Sequence, residues 1–379
     1  MARKAAGGGS KVSESKADDE RWMRLAIREA RKGDPSPNPH VGAVVVKNGK
    51  VIAKGHHPKA GDVHAEVMAL RDAGRRAKGA TLYVTFEPCN HFGRTPPCTD
   101  AILAAGISRV VLGARDMAPH KPGSRRKLER AGLEVTCGVL EAEAGALVAD
   151  FAKHILHGLP YVTLKAGMTL DGRIAARDRS SKWITGAAAR KAAHQLRASH
   201  DAVLVGVETV LADDPELNVR HVQGRHPVRI VLDSRLRTPA KARVLRSRGG
   251  KTVLVHGPLA PHARREALRR AGAELIEVPV RAGRLSVLHA ARAIAKRDVV
   301  RLLVEGGGAV HGSFLDAGLV DEVDLFVAPK LLGDAQGVPV LAGAKRALKD
   351  AASLTDLRVT AAGDDLRVRA RVAQASTAR

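Results

Sequence analysis

Three cysteines in 379 residues are too few for a disulfide framework, and any pairing would leave one over. Free or metal-bound thiols in a reducing compartment are the better expectation. Aromatic residues make up only 2% of the chain, which argues against a surface built to stack successive bases. No apolar stretch approaches the roughly 18 residues that a membrane-spanning helix needs. Residues 1–18 lack the apolar region of a secretory signal and read as a flexible polar tail. A cytoplasmic protein without a membrane partner is therefore expected. Long basic runs are missing as well. Lys and Arg number 63 against 39 Asp and Glu, a net charge of +24, yet the only dense cluster is Arg125-Arg126-Lys127, with Glu129 close behind. The excess is spread as +9 over residues 1–160 and +15 over residues 161–379. Proteins that track a duplex concentrate such charge on a stripe, so no nucleic-acid partner is expected.

What is present is the length and rhythm of two α/β domains, at roughly 100–200 residues each. Asp18-Asp19-Glu20 open an amphipathic helix from about Asp19 that ends at Gly33. Two strands, 41–46 and 51–53, flank an Asn48-Gly49 hairpin signal. Helices near 65–77, 98–105 and 123–131 then alternate with strands at 81–86, 109–113 and 134–138. One further helical pattern spans 141–157, and Gly158-Leu159-Pro160 stops it. Strands at 161–165, 202–207, 228–232, 252–255, 274–278, 302–305 and 324–331 continue the rhythm. The expected division is a tail over 1–18, domains over 19–160 and 161–372, and a short tail over 373–379. Alternation of this kind implies sheets covered by helices on both faces.

In the first domain His64-Ala65-Glu66 opens a helix, Pro88-Cys89 follows a strand, and Cys98 begins the next helix. One imidazole and two thiolates form the donor set of a catalytic zinc that keeps its fourth position for water. A helix N-terminus also favours the thiolate form of cysteine. His91 is a rival ligand. Glu66, two positions after His64, points away from the His64 direction on an ideal helix and suits a proton shuttle to the metal-bound water better than a ligand role. Zinc deaminases divide the labour in this way, with the signature H-x-E…P-C-x-x-C. Here eight residues, 90–97, stand between Cys89 and Cys98. Cys137, inside an apolar strand, is expected to be a core thiol. The same zinc set could serve a nucleic-acid base deaminase, and a zinc-stabilised RNA-binding scaffold is a third reading. Dispersed charge and a whole second domain count against both.

The stretches Pro37-Asn38-Pro39-His40-Val41-Gly42-Ala43, 55–61, His64-Ala65-Glu66 and 87–98 closely resemble the bifunctional riboflavin-biosynthesis deaminase–reductase family. Residues 165–172, 183–185, 206–215, 304–307 and 328–333 carry motifs of the same family in the same order, so the resemblance runs from about 20 to 370. It implies a cytidine-deaminase-like three-layer α/β/α domain followed by a dihydrofolate-reductase-like α/β domain. It also implies two reactions on a phosphoribosylated pyrimidine: zinc-dependent hydrolytic deamination, then NADPH-dependent reduction of the ribosyl to a ribityl chain. His64, Cys89 and Cys98 would bind Zn2+, and Glu66 would move protons. Asn38 and His57 match substrate contacts, with Lys59 and Arg94 as phosphate cations. The loop 116–124 departs from the family pattern.

In the second domain a strand runs through Glu305 into Gly306-Gly307-Gly308 and a helix-like segment. Glycines at such a junction let backbone amides approach a phosphate. The resemblance assigns Gly167, Trp183, Thr209, Asp213, Ser234 and the segment Gly307, Gly308, Ala309, Val310, His311, Gly312 and Ser313 to the nicotinamide cofactor. It assigns Ser181, Arg197, Leu217, Arg220 and Glu305 to the substrate. Arg197 and Arg220 suit a sugar phosphate through bidentate guanidinium contacts. Lys165 is the candidate for protonating the opened sugar. Self-association through the reductase domain is the remaining family expectation.

Overall fold

A computed structural model describes residues 15–93, 96–117 and 123–373. The expected terminal tails, Arg94 and the centre of the 116–124 loop lie wholly or mostly outside the described residues. The chain divides into two compact units between Ala152 and Lys153, ahead of the Gly158-Leu159-Pro160 stop.

The first unit contains α1 (Lys16–Ala30), β1 (Gly42–Lys47), β2 (Lys50–His56), α2 (Ala65–Ala73), β3 (Thr81–Phe86), α3 (Cys98–Ala104), β4 (Arg109–Ala114) and α4 (Ser124–Arg130). β5 (Glu134–Cys137), α5 (Glu141–Ala146) and α6 (Ala149–His157) follow, the last running across the division. α1 starts earlier than expected because Ser15 caps it. The Ser15 hydroxyl accepts from the Asp18 N–H at 3.2 Å while the Asp18 carboxylate accepts from the Ser15 N–H at 3.3 Å, a reciprocal capping box. The helical pattern over 141–157 is two helices, not one.

Its five strands lie in the order β2-β1-β3-β4-β5, antiparallel around β1 and parallel from β3 to β5. Side chains alternate across β1. Val44 and Val46 pack with Trp22, Met23 and Ile27 of α1, whereas Ala43 and Val45 pack with Ala65, Ala69 and Leu70 of α2. This is the three-layer α/β/α arrangement. Both helices press on bare backbone: a Cβ on Gly42 would lie 2.0 Å from the Ala26 carbonyl oxygen, and one on Gly55 would lie 2.2 Å from that of Ala65. Gly55 thereby sets how closely the start of α2, beside His64, approaches the sheet.

The second unit opens with β6 (Tyr161–Thr169), β7 (Arg173–Ala175), α7 (Ala187–Ser199), β8 (Ala202–Gly206), α8 (Val207–Asp213), β9 (Val228–Leu232) and α9 (Arg243–Arg246). It continues through β10 (Thr252–His256), α10 (His262–Arg270), β11 (Ala273–Glu277), β12 (Val280–Arg281), β13 (Arg284–Leu285) and α11 (Val287–Ala295). It closes with β14 (Arg301–Gly306), α12 (Gly308–Asp316), β15 (Glu322–Ala328), β16 (Val338–Pro339), β17 (Leu354–Ala362) and β18 (Asp365–Val372).

The main sheet has the order β11-β10-β9-β8-β14-β6-β15-β18-β17. Neighbours run parallel from β11 to β15, and the β17–β18 hairpin closes the edge antiparallel. That hairpin was not among the expected strands, since Arg and Asp interrupt its apolar residues. One apolar core holds the sheet against α11 and Phe314 of α12; another holds its opposite face against α7 and α8. The carboxyl ends of β6, β8 and β14 and the start of α12 meet at one end of the sheet. In open α/β sheets ligands bind at such an end.

Candidate functional site

In the first unit, His64 is the residue immediately before α2, Cys89 lies in the loop after β3, and Cys98 is the first residue of α3. Tertiary packing brings one donor atom from each within 4.8 Å of the other two. His64 Nδ1 stands 3.1 Å from Cys98 Sγ and 3.6 Å from Cys89 Sγ, and the Cys98 backbone N–H donates to Cys89 Sγ at 3.3 Å. The hydrogen bond between the two thiols, with further help from His64 against the opposing effect of burial, holds Cys89 down at about 4. The same contact and burial push Cys98 up. One imidazole and two sulfurs converging in this way fit zinc with a position left over. His91 is exposed and outside the trio, and Cys137 is half-buried in β5 rather than fully in the core.

Glu66 sits in the first turn of α2 with 3% exposure, and burial raises its pKa. His57 is equally buried. Its Nδ1 is 3.0 Å from the Val63 carbonyl oxygen and its Nε2 is 3.0 Å from Asn38 Nδ2. Both ring nitrogens are therefore hydrogen-bonded inside the protein. Asn38 is only partly buried, and Lys59 is exposed. Arg94 lies outside the described residues.

In the second unit a cleft of about 480 Å3 is lined by Lys165, Gly167, Ser181, Trp183, Thr209, Asp213, Glu305, Gly307, Gly308, Ala309 and His311, among others. At its floor stands a buried charge cluster. Arg197 Nε and Nη2 donate to the two oxygens of Glu305 at 2.6 and 2.7 Å, and Lys165 Nζ is 3.9 Å from Glu305 Oε2. Burial alone would raise Glu305, but the charges of Arg197 and Lys165 hold it at about 2. Burial lowers Lys165 against the pull of Glu305. The Ser181 hydroxyl donates to Asp213 Oδ1 at 3.1 Å, joining a substrate candidate to a cofactor candidate. Lys182, Arg179 and Arg190 add cations to the lining, and Gly307 turns β14 into α12 at φ 81°. Cations, apolar walls and close backbone fit a dinucleotide phosphate.

Several expected residues stand elsewhere. Arg197 spends its third nitrogen on the Asn218 carbonyl at 3.2 Å, and its fork faces Glu305. Arg220 is exposed and paired with Glu216 and Asn218. Leu217 is buried. Ser234, Val310, Gly312 and Ser313 are not among the cleft-lining residues. Gly312 abuts the backbone of Gly343, and the Ser313 hydroxyl donates back to the Ala309 carbonyl at 2.8 Å.

Other residues went unforeseen. Arg190 stacks over the exposed Trp183 ring at 4.6 Å. It lies seven residues before Arg197 on α7, a spacing that puts both on one helix face. His194, between them, takes the Arg220 backbone N–H on its Nδ1 at 3.2 Å. Glu87 holds Ser124 at the start of α4 and accepts from the Asp116 N–H at 3.2 Å, so it anchors both ends of the departing loop.

The domain model for the cytidine and deoxycytidylate deaminase zinc-binding region matches residues 16–114, and the RibD C-terminal domain model matches residues 160–368. The riboflavin biosynthesis protein RibD of Aquifex aeolicus is 44% identical over 352 residues, covering 92% of this chain and 97% of that protein. Its Escherichia coli counterpart is 39% identical over 368 residues, covering 92% and 98%. Among solved structures, Acinetobacter baumannii RibD superposes with a TM-score of 0.84 at 37% identity, covering 95% of this chain and 100% of that one. A Thermotoga maritima diaminohydroxyphosphoribosylaminopyrimidine deaminase/5-amino-6-(5-phosphoribosylamino)uracil reductase gives 0.83 at 36% identity, covering 94% and 99%.

Proposed function

We propose a residue-by-residue account of two reactions from one premise: the chain belongs to the RibD family of bifunctional riboflavin-biosynthesis deaminase–reductases. It is a zinc-dependent deaminase and an NADPH-dependent reductase. The substrate of the first step is the diaminopyrimidine ribotide, and that of the second is the deaminated ribosyl compound. Deamination belongs to residues 19–160 and reduction to residues 161–372.

His64, Cys89 and Cys98 hold zinc, which when bound lowers the pKa of water towards neutrality. Glu66 takes a proton from the attacking water on its carboxylate and passes it to the departing amine nitrogen, so that ammonia leaves as the ring carbon gains oxygen. Burial supports this role, because a carboxyl with a raised pKa keeps a proton long enough to deliver it. Asn38 hydrogen-bonds the pyrimidine, and Lys59 and Arg94 meet the phosphate.

In the reductase, NADPH when bound supplies hydride. Gly167, Trp183, Thr209, Asp213 and the backbone of Gly307, Gly308 and Ala309 hold it, with Ser181 bridging to the substrate. Glu305 orients ribose hydroxyls. Lys165, whose burial weakens its grip on a proton, protonates the opened sugar oxygen. Arg197 locks Glu305, and Arg220 serves the substrate phosphate from the surface. The observation that carries this reading is the buried Lys165–Glu305–Arg197 cluster on the cleft that Gly307 and Gly308 line.

Self-association through the reductase unit is supported by Leu354, Leu357 and Val359, exposed on the edge strand β17; light scattering across concentration tests it. No helix among the described residues is long and apolar enough to cross a membrane, in keeping with work in the cytoplasm. The decisive experiment supplies the diaminopyrimidine ribotide with and without NADPH, alongside metal analysis. Without NADPH the product stops at the deaminated ribosyl compound. Release of ammonia by metal-free protein would overturn the assignment.

A further inference from the structure

We infer that His194 is a positioning residue of the reductase: by taking the Arg220 backbone N–H it docks the 217–220 segment on α7, and so sets where Arg220 meets the substrate phosphate. This rests on the reading of Arg220 as a phosphate contact.

Residues 217–220 lie in the loop between α8 and β9, and among the described residues no backbone–backbone hydrogen bond joins them to a neighbouring element. Leu217 and Val219 are buried, Asn218 is half-buried and Arg220 is exposed. A stretch packed in this way needs other partners for its backbone polar groups. Side chains supply them. Arg197 Nη1 donates to the Asn218 carbonyl, His226 Nδ1 accepts from the Val219 N–H, and His194 Nδ1 accepts from the Arg220 N–H, each at 3.2 Å. His226 lies in the same loop. The two bonds that tie the segment to a helix are therefore those of His194 and Arg197, three residues apart on one face of α7.

The His194 ring has little freedom. It is 6% exposed and stands edge-on to His221, with centroids 4.5 Å apart and planes at 86°. Because an N–H can only donate, Nδ1 must present a lone pair. Burial, followed by Arg197, His221 and Arg220 against the pull of Glu305, holds the ring's pKa down at about 4, so the lone pair persists at neutral pH. The Arg220 guanidinium is braced in turn by Glu216 and by Asn218 Oδ1 at 3.0 Å. Both braces belong to the same short stretch of chain, so the guanidinium goes where that backbone goes. Arg197 meanwhile grips Glu305 at the cleft floor. Two positions on one helix thus register the phosphate contact against the carboxylate assigned to the ribose hydroxyls.

Reductase kinetics on the zinc-loaded full chain test this, with the deaminated ribosyl compound supplied with and without its phosphate and NADPH affinity as the folding control. On the phosphorylated compound Arg220→Ala should lower kcat/KM about 30-fold and His194→Leu about 10-fold, through KM and with kcat nearly kept. The double variant should stay at about 30-fold, because His194 acts through Arg220. His194→Asn, whose Oδ1 stands two bonds from Cβ as the lost Nδ1 did, should come back to within about 3-fold of the starting enzyme. On the phosphate-free compound every variant should match the starting enzyme within about 2-fold. His194→Leu losing equally on both compounds would overturn the inference, as would His194→Asn no better than His194→Leu. Losses that multiply to about 300-fold in the double variant would overturn it too. Arg220→Ala without a phosphate-dependent loss would overturn the phosphate contact, and the inference with it. Should His194→Leu fail to bind NADPH, His194→Phe, a ring with no acceptor, takes its place under the same criteria.

Discussion

Replacing Glu66 by Gln isolates the proton shuttle, because the change keeps side-chain shape and removes only the ability to take a proton. Two effects follow, of different size. A positioned general acid–base contributes about 10²–10⁴-fold, which is about 3–5 kcal/mol of barrier at about 1.4 kcal/mol per tenfold. Stability should move the other way or hardly at all. Burial raises the pKa of Glu66 in the folded protein, so the folded state binds its proton more tightly than the unfolded chain does. Such a group stabilises the fold below its unfolded pKa and loses that contribution as pH rises through the folded pKa. Wherever the buried group is ionised, its charge opposes folding, a cost that Gln lacks. The assay pairs ammonia release with NADPH oxidation on pre-deaminated substrate, at matched zinc content. Ammonia release should fall at least about 100-fold, reduction should be unchanged, and the melting temperature should not fall. Ammonia release within a few-fold of the starting enzyme would refute the shuttle assignment; loss of zinc with it would refute the separation of Glu66 from the ligand set.

Three further outcomes are expected. Glu305→Gln strands Arg197 and Lys165 as buried cations, so unfolding free energy should drop by about 3–5 kcal/mol, as when one partner of a buried pair is removed. Because Glu305 is held at about 2, its advantage over the Gln variant should be complete above the ordinary carboxylate pKa and fade as pH falls through about 2; denaturant titrations across pH read this directly. Chelation of zinc, or Cys98→Ala, should abolish ammonia release while NADPH oxidation by the deaminated compound persists, and parallel loss of both would contradict two separately folded units. Gly55→Ala forces a Cβ to 2.2 Å from the Ala65 carbonyl, which should cost about 1–3 kcal/mol by overpacking and lower zinc occupancy by shifting the start of α2. Unchanged stability and metal content would show that the strand–helix contact yields more easily than its geometry implies.

Much of the deaminase site was legible because its chemistry sits in short motifs at element boundaries. His64, Glu66 and Cys98 open helices whose starts the sequence marks clearly, and the observed α2 and α3 begin within one residue of the expected positions. The β1–β2 hairpin followed from Asn48-Gly49, and Asn48 does take a positive φ of 52°. α1 starts at Lys16, ahead of the acidic run, because the Ser15 hydroxyl is the better cap. The β17–β18 hairpin was invisible because its stability comes from pairing with β15 and from ion pairs such as Arg367 with Asp324, contacts between residues far apart in the chain.

Motif order by itself pointed to the enzyme class and to His64, Cys89 and Cys98 as the candidate zinc donors, and composition showed the +24 charge dispersed, since these depend on residue type and local spacing. Only the tertiary structure decided which polar groups are already spoken for. Arg197 looked like a phosphate clamp until Glu305, 108 residues away, was found across its fork. His57, expected at the substrate, has both ring nitrogens hydrogen-bonded, one to the Val63 carbonyl and one to Asn38. A hydrogen-bonding group has few valences, and which partner takes them is set by packing at ångström range. No local pattern carries that information.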